Sequence, residues 1–188
     1  MPAISITLDL QYLAIAAQAK YQLTTAVDDF KKRLNDDTRR AKRLDIRQCQ
    51  ILNVLHRWEK KDSFRAVYRA RIDDGIIAVK VLSGGPEGRS QNTRQVREDT
   101  LRSVEWVNAL NNPYIVGFIG YWEGRTNIYT YFEFAPFGDL QRVIDHHVLN
   151  DRRAKHFMIQ LVCALEYIHA TNVVEAHVRP AWFSTVVV

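Results

Sequence analysis

The chain has 188 residues, 47% of them apolar, enough to bury one core and a short accessory segment. Its net charge of +5 is local in origin, because the stretch Lys31–Arg71 holds 14 basic and 5 acidic residues while the remainder is net acidic. Two cysteines, Cys49 and Cys163, are too few for a disulfide framework and lack metal-ligand spacing, and no window approaches 18 uncharged apolar residues. These features exclude a disulfide-stapled scaffold and a membrane-spanning helix. Met1–Ala17 has no basic leader and contains Asp9, so no signal peptide is expected and the expected setting is intracellular, reducing and cytoplasmic.

The first expected element is a long helix from about Leu8 to Leu44. Leu10, Leu13, Ala17 and Tyr21, then Val27, Phe30 and Leu34, recur at three- and four-residue steps without an intervening Pro or Gly. Its second half is basic, through Lys31-Lys32-Arg33 and Arg39-Arg40-Ala41-Lys42-Arg43. Such a run is either a solvated face or a contact for nucleic acid or an anionic surface. No base-stacking aromatic pattern accompanies it, which favours the solvated face.

From Cys49 the period changes to that of strands. Gln50–Trp58 and Arg65–Ile72 are β-prone, and Asp73-Asp74-Gly75 is a turn leading into the apolar run Ile76-Ile77-Ala78-Val79-Lys80-Val81-Leu82. An ammonium inside such a run must be paired or solvated. Taken alone, Lys80 reads as a lysine snorkelling from an edge strand, or as one aimed into a nucleotide cleft. Ser83–Thr93 reads as a loop. Val96, Leu101, Val104, Val107 and Leu110 give a helical stripe that stops near Asn111-Asn112-Pro113. Asn127–Phe132 alternates as a strand. A broadly apolar helix follows, with Ala154, Phe157, Met158, Leu161, Leu165 and Ile168 in phase, and Ile159, Val162 and Cys163 widening its surface.

Four segments carry a resemblance, in order and at the right spacing. They are Ala78-Val79-Lys80, Pro113–Glu123, Glu133-Phe134-Ala135-Pro136-Phe137-Gly138-Asp139-Leu140, and Tyr167–Phe183. Together they resemble the strand-three lysine, the "HPNIVxLxGxWE" segment, the hinge and the "YLHxxGIVHRDLKPENI" catalytic loop of protein kinases. The resemblance runs from about Cys49 to the end. It implies an α+β fold: an antiparallel small lobe with one helix, then a partial helical large lobe, preceded by an N-terminal helical extension. The implied divisions are 1–48, 49–132 and 133–188.

The same resemblance implies a nucleotide-binding set of Lys80, Val67, Ala78, Phe132 at the gatekeeper position, Glu133 and Ala135 at the hinge, and Asp139 near the ribose. It also shows what has been replaced. The three glycines of the phosphate loop fall at Lys60, Asp62 and Arg65, and the glutamate that holds the lysine falls at Ser103. Glu105 is two positions on, about 200° around a helix. The catalytic aspartate falls at His177, the catalytic-loop lysine at Arg179 and the metal-binding asparagine at Trp182, with Pro180 setting the count.

Phosphoryl transfer depends on phosphates held still, metal ions and an orienting carboxylate. The expectation is therefore an inactive, pseudokinase-like interaction module with at most weak ATP binding, and no magnesium site. The alternative is a fragment of a serine/threonine kinase. The sequence closes 11 residues after His177, ahead of an Asp-Phe-Gly segment, so a truncated large lobe is expected. Part of the Ala154–Ile168 helix then faces solvent, and another protein or a second copy is expected to cover it.

Overall fold

The computed structural model describes residues 6–60, 63–83, 91–146 and 150–172. Its elements in chain order are α1 (Ile6–Leu34), β1 (Gln50–Lys60), β2 (Ser63–Ile72), β3 (Gly75–Ser83), α2 (Gln91–Ala109), β4 (Phe118–Glu123), β5 (Asn127–Glu133), α3 (Leu140–Asp145) and α4 (Asp151–Ala170). The five strands form one antiparallel sheet in the order β1-β2-β3-β5-β4. This is the α+β arrangement expected from the resemblance.

The sheet starts from a tight hairpin. Ile72 pairs with Gly75, which leaves Asp73 and Asp74 to turn the chain, and Asp73 takes φ 49°. Asp tolerates this left-handed conformation better than most side chains because it can hydrogen-bond locally. Along β3 the residues alternate. Ile77, Val79 and Val81 enter a core with Leu44, Ala70 and Tyr131, while Ala78 and Lys80 point to the opposite face. On the outer edge, β1 slips register between Ile51 and Asn53 and again between Val54 and His56. Such bulges bend an edge strand and discourage further pairing. Ile51, Leu52, Val54 and Leu55 on this strand are exposed.

The N-terminal helix is shorter than its periodicity suggested, ending at Leu34 rather than Leu44. The reason is local. Asp36 turns its side chain onto the Thr38 N–H and starts a 3-10 turn at Asp37–Arg39, an alternative to continued helix that Asp and Asn offer readily. The helix also packs by its basic half. Leu23, Ala26, Phe30 and Leu34 form the contacting face, and Phe30 is buried against Ala109 and Tyr167. Tyr21, expected on the apolar stripe, is 73% exposed. Helix α1 thus touches both α2 and α4, with Phe30 also meeting Trp106 at a ring separation of 5.8 Å.

Two buried tyrosines join the layers. Tyr131 donates from its hydroxyl to the Leu44 carbonyl at 2.9 Å, and burial pushes its ionisation far upward, so the hydroxyl stays a donor. Tyr167, on α4, accepts from the Asn111 N–H at 3.0 Å just beyond the end of α2, and burial raises its ionisation too. On the other side of α4, Met158, Ile159 and Val162 are exposed. No helix among the described residues is long and apolar enough to cross a membrane.

The burial of Phe30 makes a direct prediction. Phe30→Ala is expected to destabilise the chain by about 3–5 kcal/mol in chemical denaturation, whereas Tyr21→Ala on the same helix shifts it by less than about 0.5 kcal/mol. Equal shifts for the two would show that α1 does not pack through Phe30.

Candidate nucleotide-binding cleft

The face of the sheet opposite the core gathers most of the expected nucleotide residues. Val67 on β2 lies directly opposite Lys80, and Thr130 on β5 flanks Lys80 from the other side. Ala78 has Phe132 as its β5 partner and Arg69 as its β2 partner. Val67, Ala78, Lys80 and Phe132 therefore share one surface, as period-2 alternation across three paired strands requires. Val67, Ala78 and Phe132 are half-buried, and the ring of Phe132 is held edge-on to Phe118 at 5.5 Å. A small residue between two apolar ones makes a flat surface suited to a planar base. Lys80 is exposed beside them.

The hinge leaves β5 at Glu133. Glu133 donates its N–H to the Gly117 carbonyl at 2.9 Å, and its carboxylate accepts the Gly117 N–H at 3.2 Å. Both contacts tie the hinge to the segment entering β4. Among the described residues no backbone hydrogen bond is made by Ala135, which is partly exposed. Asp139 serves as the N-cap of α3, its Oδ1 accepting from the Arg142 N–H at 2.9 Å. That contact occupies one of its two oxygens.

Two residues of this surface were not singled out from the sequence. Arg69 places its guanidinium 5.1 Å from the centre of the Phe134 ring, and its Nε is buried without a hydrogen-bond partner. Arg69 stands two residues after Val67 in a strand, so alternation alone puts it on the cleft face. Phe134 was quoted only as part of the hinge motif, and its partner lies far off in sequence.

The positions that handle phosphate and metal read differently. Strands β1 and β2 remain paired as far as Lys60 and Ser63, and Arg65 in β2 is exposed. Asp62 lies outside the described residues. Ser103 is exposed on α2 and donates its hydroxyl to the Thr100 carbonyl at 2.8 Å. Glu105, the nearby carboxylate, accepts the Ala41 N–H at 3.1 Å and so serves the N-terminal segment. His177, Arg179 and Trp182 lie outside the described residues. Among the described residues no group of three or more His, Cys, Asp or Glu side chains could hold a metal ion. At the described positions the cleft face thus presents apolar side chains beside Lys80, and Ser103 stands where the family has its lysine-pairing carboxylate.

A five-stranded antiparallel sheet with one helix, joined by a hinge to further helices, defines a kinase-type small lobe and the beginning of its helical partner. Residues 62–181 match the family model described as protein kinase domain, and the chain belongs to that family. NUAK family SNF1-like kinase 2 of Rattus norvegicus is 30% identical over 134 residues, which cover 68% of this chain and 21% of that protein. Aurora kinase B of Xenopus tropicalis is 33% identical over 124 residues, covering 64% of this chain and 33% of the relative. Serine/threonine-protein kinase Aurora-2 of Arabidopsis thaliana is 31% identical over 123 residues, covering 64% of this chain and 42% of its own length. The chain spans about a fifth of the length of the first of these relatives.

The role of Asp139 can be separated by substitution. Asp139→Ala is expected to cost about 1 kcal/mol in denaturation through loss of the α3 cap, while Asp139→Asn, an equally good cap, costs little. A loss of equal size in both variants would assign the effect to the carboxylate charge instead.

Proposed function

We propose that this kinase-like domain binds a nucleotide weakly, through its base, and does not transfer phosphate, acting instead as an interaction module. The observation that carries this reading is the state of α2. Where the family places a lysine-pairing carboxylate, the chain has Ser103, whose hydroxyl is turned onto its own helix, and Glu105 is engaged by Ala41. The replacements at His177 and Trp182 support it from the sequence, because an imidazole offers a base but no orienting carboxylate and an indole cannot ligate magnesium. Loss of the loop glycines at Lys60, Asp62 and Arg65 removes the close backbone approach to the phosphates.

A serine/threonine phosphotransferase is the second reading. It is favoured by the position of Lys80 on the cleft face and by the names of the relatives. It requires the missing acid, base and metal ligands to come from elsewhere. Binding of nucleic acid or an anionic surface through the basic stretch draws less support. Arg33, Arg39 and Arg47 are paired with Asp29, Asp36 and Asp45, and Arg43 with Glu123.

A radiolabelled phosphate-transfer assay on the full chain, with generic protein substrates and magnesium, tests the proposal. The expected signal equals that of a Lys80→Ala control. Transfer above that control would establish the phosphotransferase reading.

A further inference from the structure

The segment between α1 and β1 makes a set of contacts of which the proposed function uses only one, that from Ala41 to Glu105. Residues 39–44 run from the flank of α2 to the free edge of β4. At the helix end, Ala41 donates its N–H to Glu105 Oε2 at 3.1 Å, and Asn108 Nδ2 donates to the Arg39 carbonyl at 2.7 Å. At the sheet end, Tyr121 donates its N–H to the Lys42 carbonyl at 2.9 Å, and Leu44 donates its N–H to the Tyr121 carbonyl at 2.9 Å. Arg43 lies parallel to Tyr121 and pairs with Glu123, and its guanidinium sits 5.6 Å from the centre of the Tyr121 ring.

The space for this strap is specific. A Cβ on Gly120 would stand 2.5 Å from the Lys42 carbonyl oxygen and 3.1 Å from Leu44 Cδ1. A strand glycine of this kind marks the close approach of another backbone. Ala41 and Leu44 are buried at the two ends, and the Leu44 carbonyl takes the Tyr131 hydroxyl. Glu123, which receives Arg43, also receives Arg97 of α2 at 2.7 Å, so the same carboxylate ties helix, strap and strand. Upstream, the strap continues into α1, whose Phe30 is seated on Ala109 and Tyr167.

We propose that residues 39–44 are a conformational clamp that makes α1, α2 and the β4 edge a single coupled unit. Its consequence is regulatory. A partner that draws α1 away from Tyr167 loosens the strap, and with it the strap's hold on α2 through Glu105 and Asn108. The inference stands whether or not nucleotide binds, because none of these contacts belongs to the cleft face.

Coupling is reciprocal, so breaking either end must be felt at the other. Hydrogen exchange on the full chain reads this directly. In Gly120→Ala the added methyl displaces the strap at the sheet end, and the amides of Trp106–Ala109 on α2 are expected to exchange at least about tenfold faster while those of Val79 and Tyr131 keep their protection. In Glu105→Ala the helix end is cut, and the amides of Leu44 and Tyr121 are expected to accelerate to a similar degree. Should Gly120→Ala lose protection throughout the sheet, the Glu105→Ala result decides alone. Faster exchange confined to the substituted end, or no change in Glu105→Ala, would overturn the clamp.

Discussion

The alternation of β3 is the constraint on which the rest of the molecule depends. Ile77, Val79 and Val81 can enter a core only if Ala78 and Lys80 turn the other way, and the flanking strands must follow the same phase. A slip of one residue would bury Lys80 and expose Val79, which is wholly inaccessible in the fold. The cost of an unpaired ammonium in that core exceeds any packing gain. One register therefore produces both the hydrophobic centre and a cleft face bearing a lysine. Val67, Thr130 and Phe132 are placed by that register, since each is the cross-strand partner of Ala78 or Lys80.

Much of this was legible because it is local. The hairpin residues Asp73-Asp74-Gly75, the β-prone runs around them and the stripe on α2 are signals read within a few residues. The cleft set of Val67, Ala78, Lys80 and Phe132 follows once those strands are paired. The stop of α1 at Leu34 was missed, although the run Asn35-Asp36-Asp37-Thr38 carried it: the Asp36 side chain caps a new turn rather than extending the helix. The strap was missed for a different reason. Leu44 meets Tyr131 across 87 residues and Ala41 meets Glu105 across 64, and separations of that kind leave no periodicity to read. The packed face of α1 was legible in part: Phe30 and Leu34 stood on the expected stripe, whereas Leu23 and Ala26 join them only through packing against α2 and α4.

The basic stretch illustrates how composition and placement diverge. Counted in sequence it is the dominant charge feature. In the fold, Arg33, Arg39 and Arg47 meet carboxylates within four residues, and Arg43 is shared with β4 and a tyrosine ring. Exposed pairs of this kind add little to stability. The same segment makes its firm contacts through neutral groups, namely the backbone of Arg39, Ala41, Lys42 and Leu44 and the side chain of Leu44.

On the proposed reading, the cleft joins a surface for a planar base to altered positions for phosphate and metal. A base would rest on the apolar side chains Val67, Ala78 and Phe132, which the fold brings together as a by-product of its strand register. Metal-bound phosphates need carboxylates and close backbone approach, and those are single residues that substitution removes without disturbing the sheet. A calorimetric titration of the full chain with ATP, with and without magnesium, tests this division most directly. The account predicts weak binding whose affinity is the same within about twofold in the two conditions. Tight binding that requires magnesium and is lost in Lys80→Ala would contradict it.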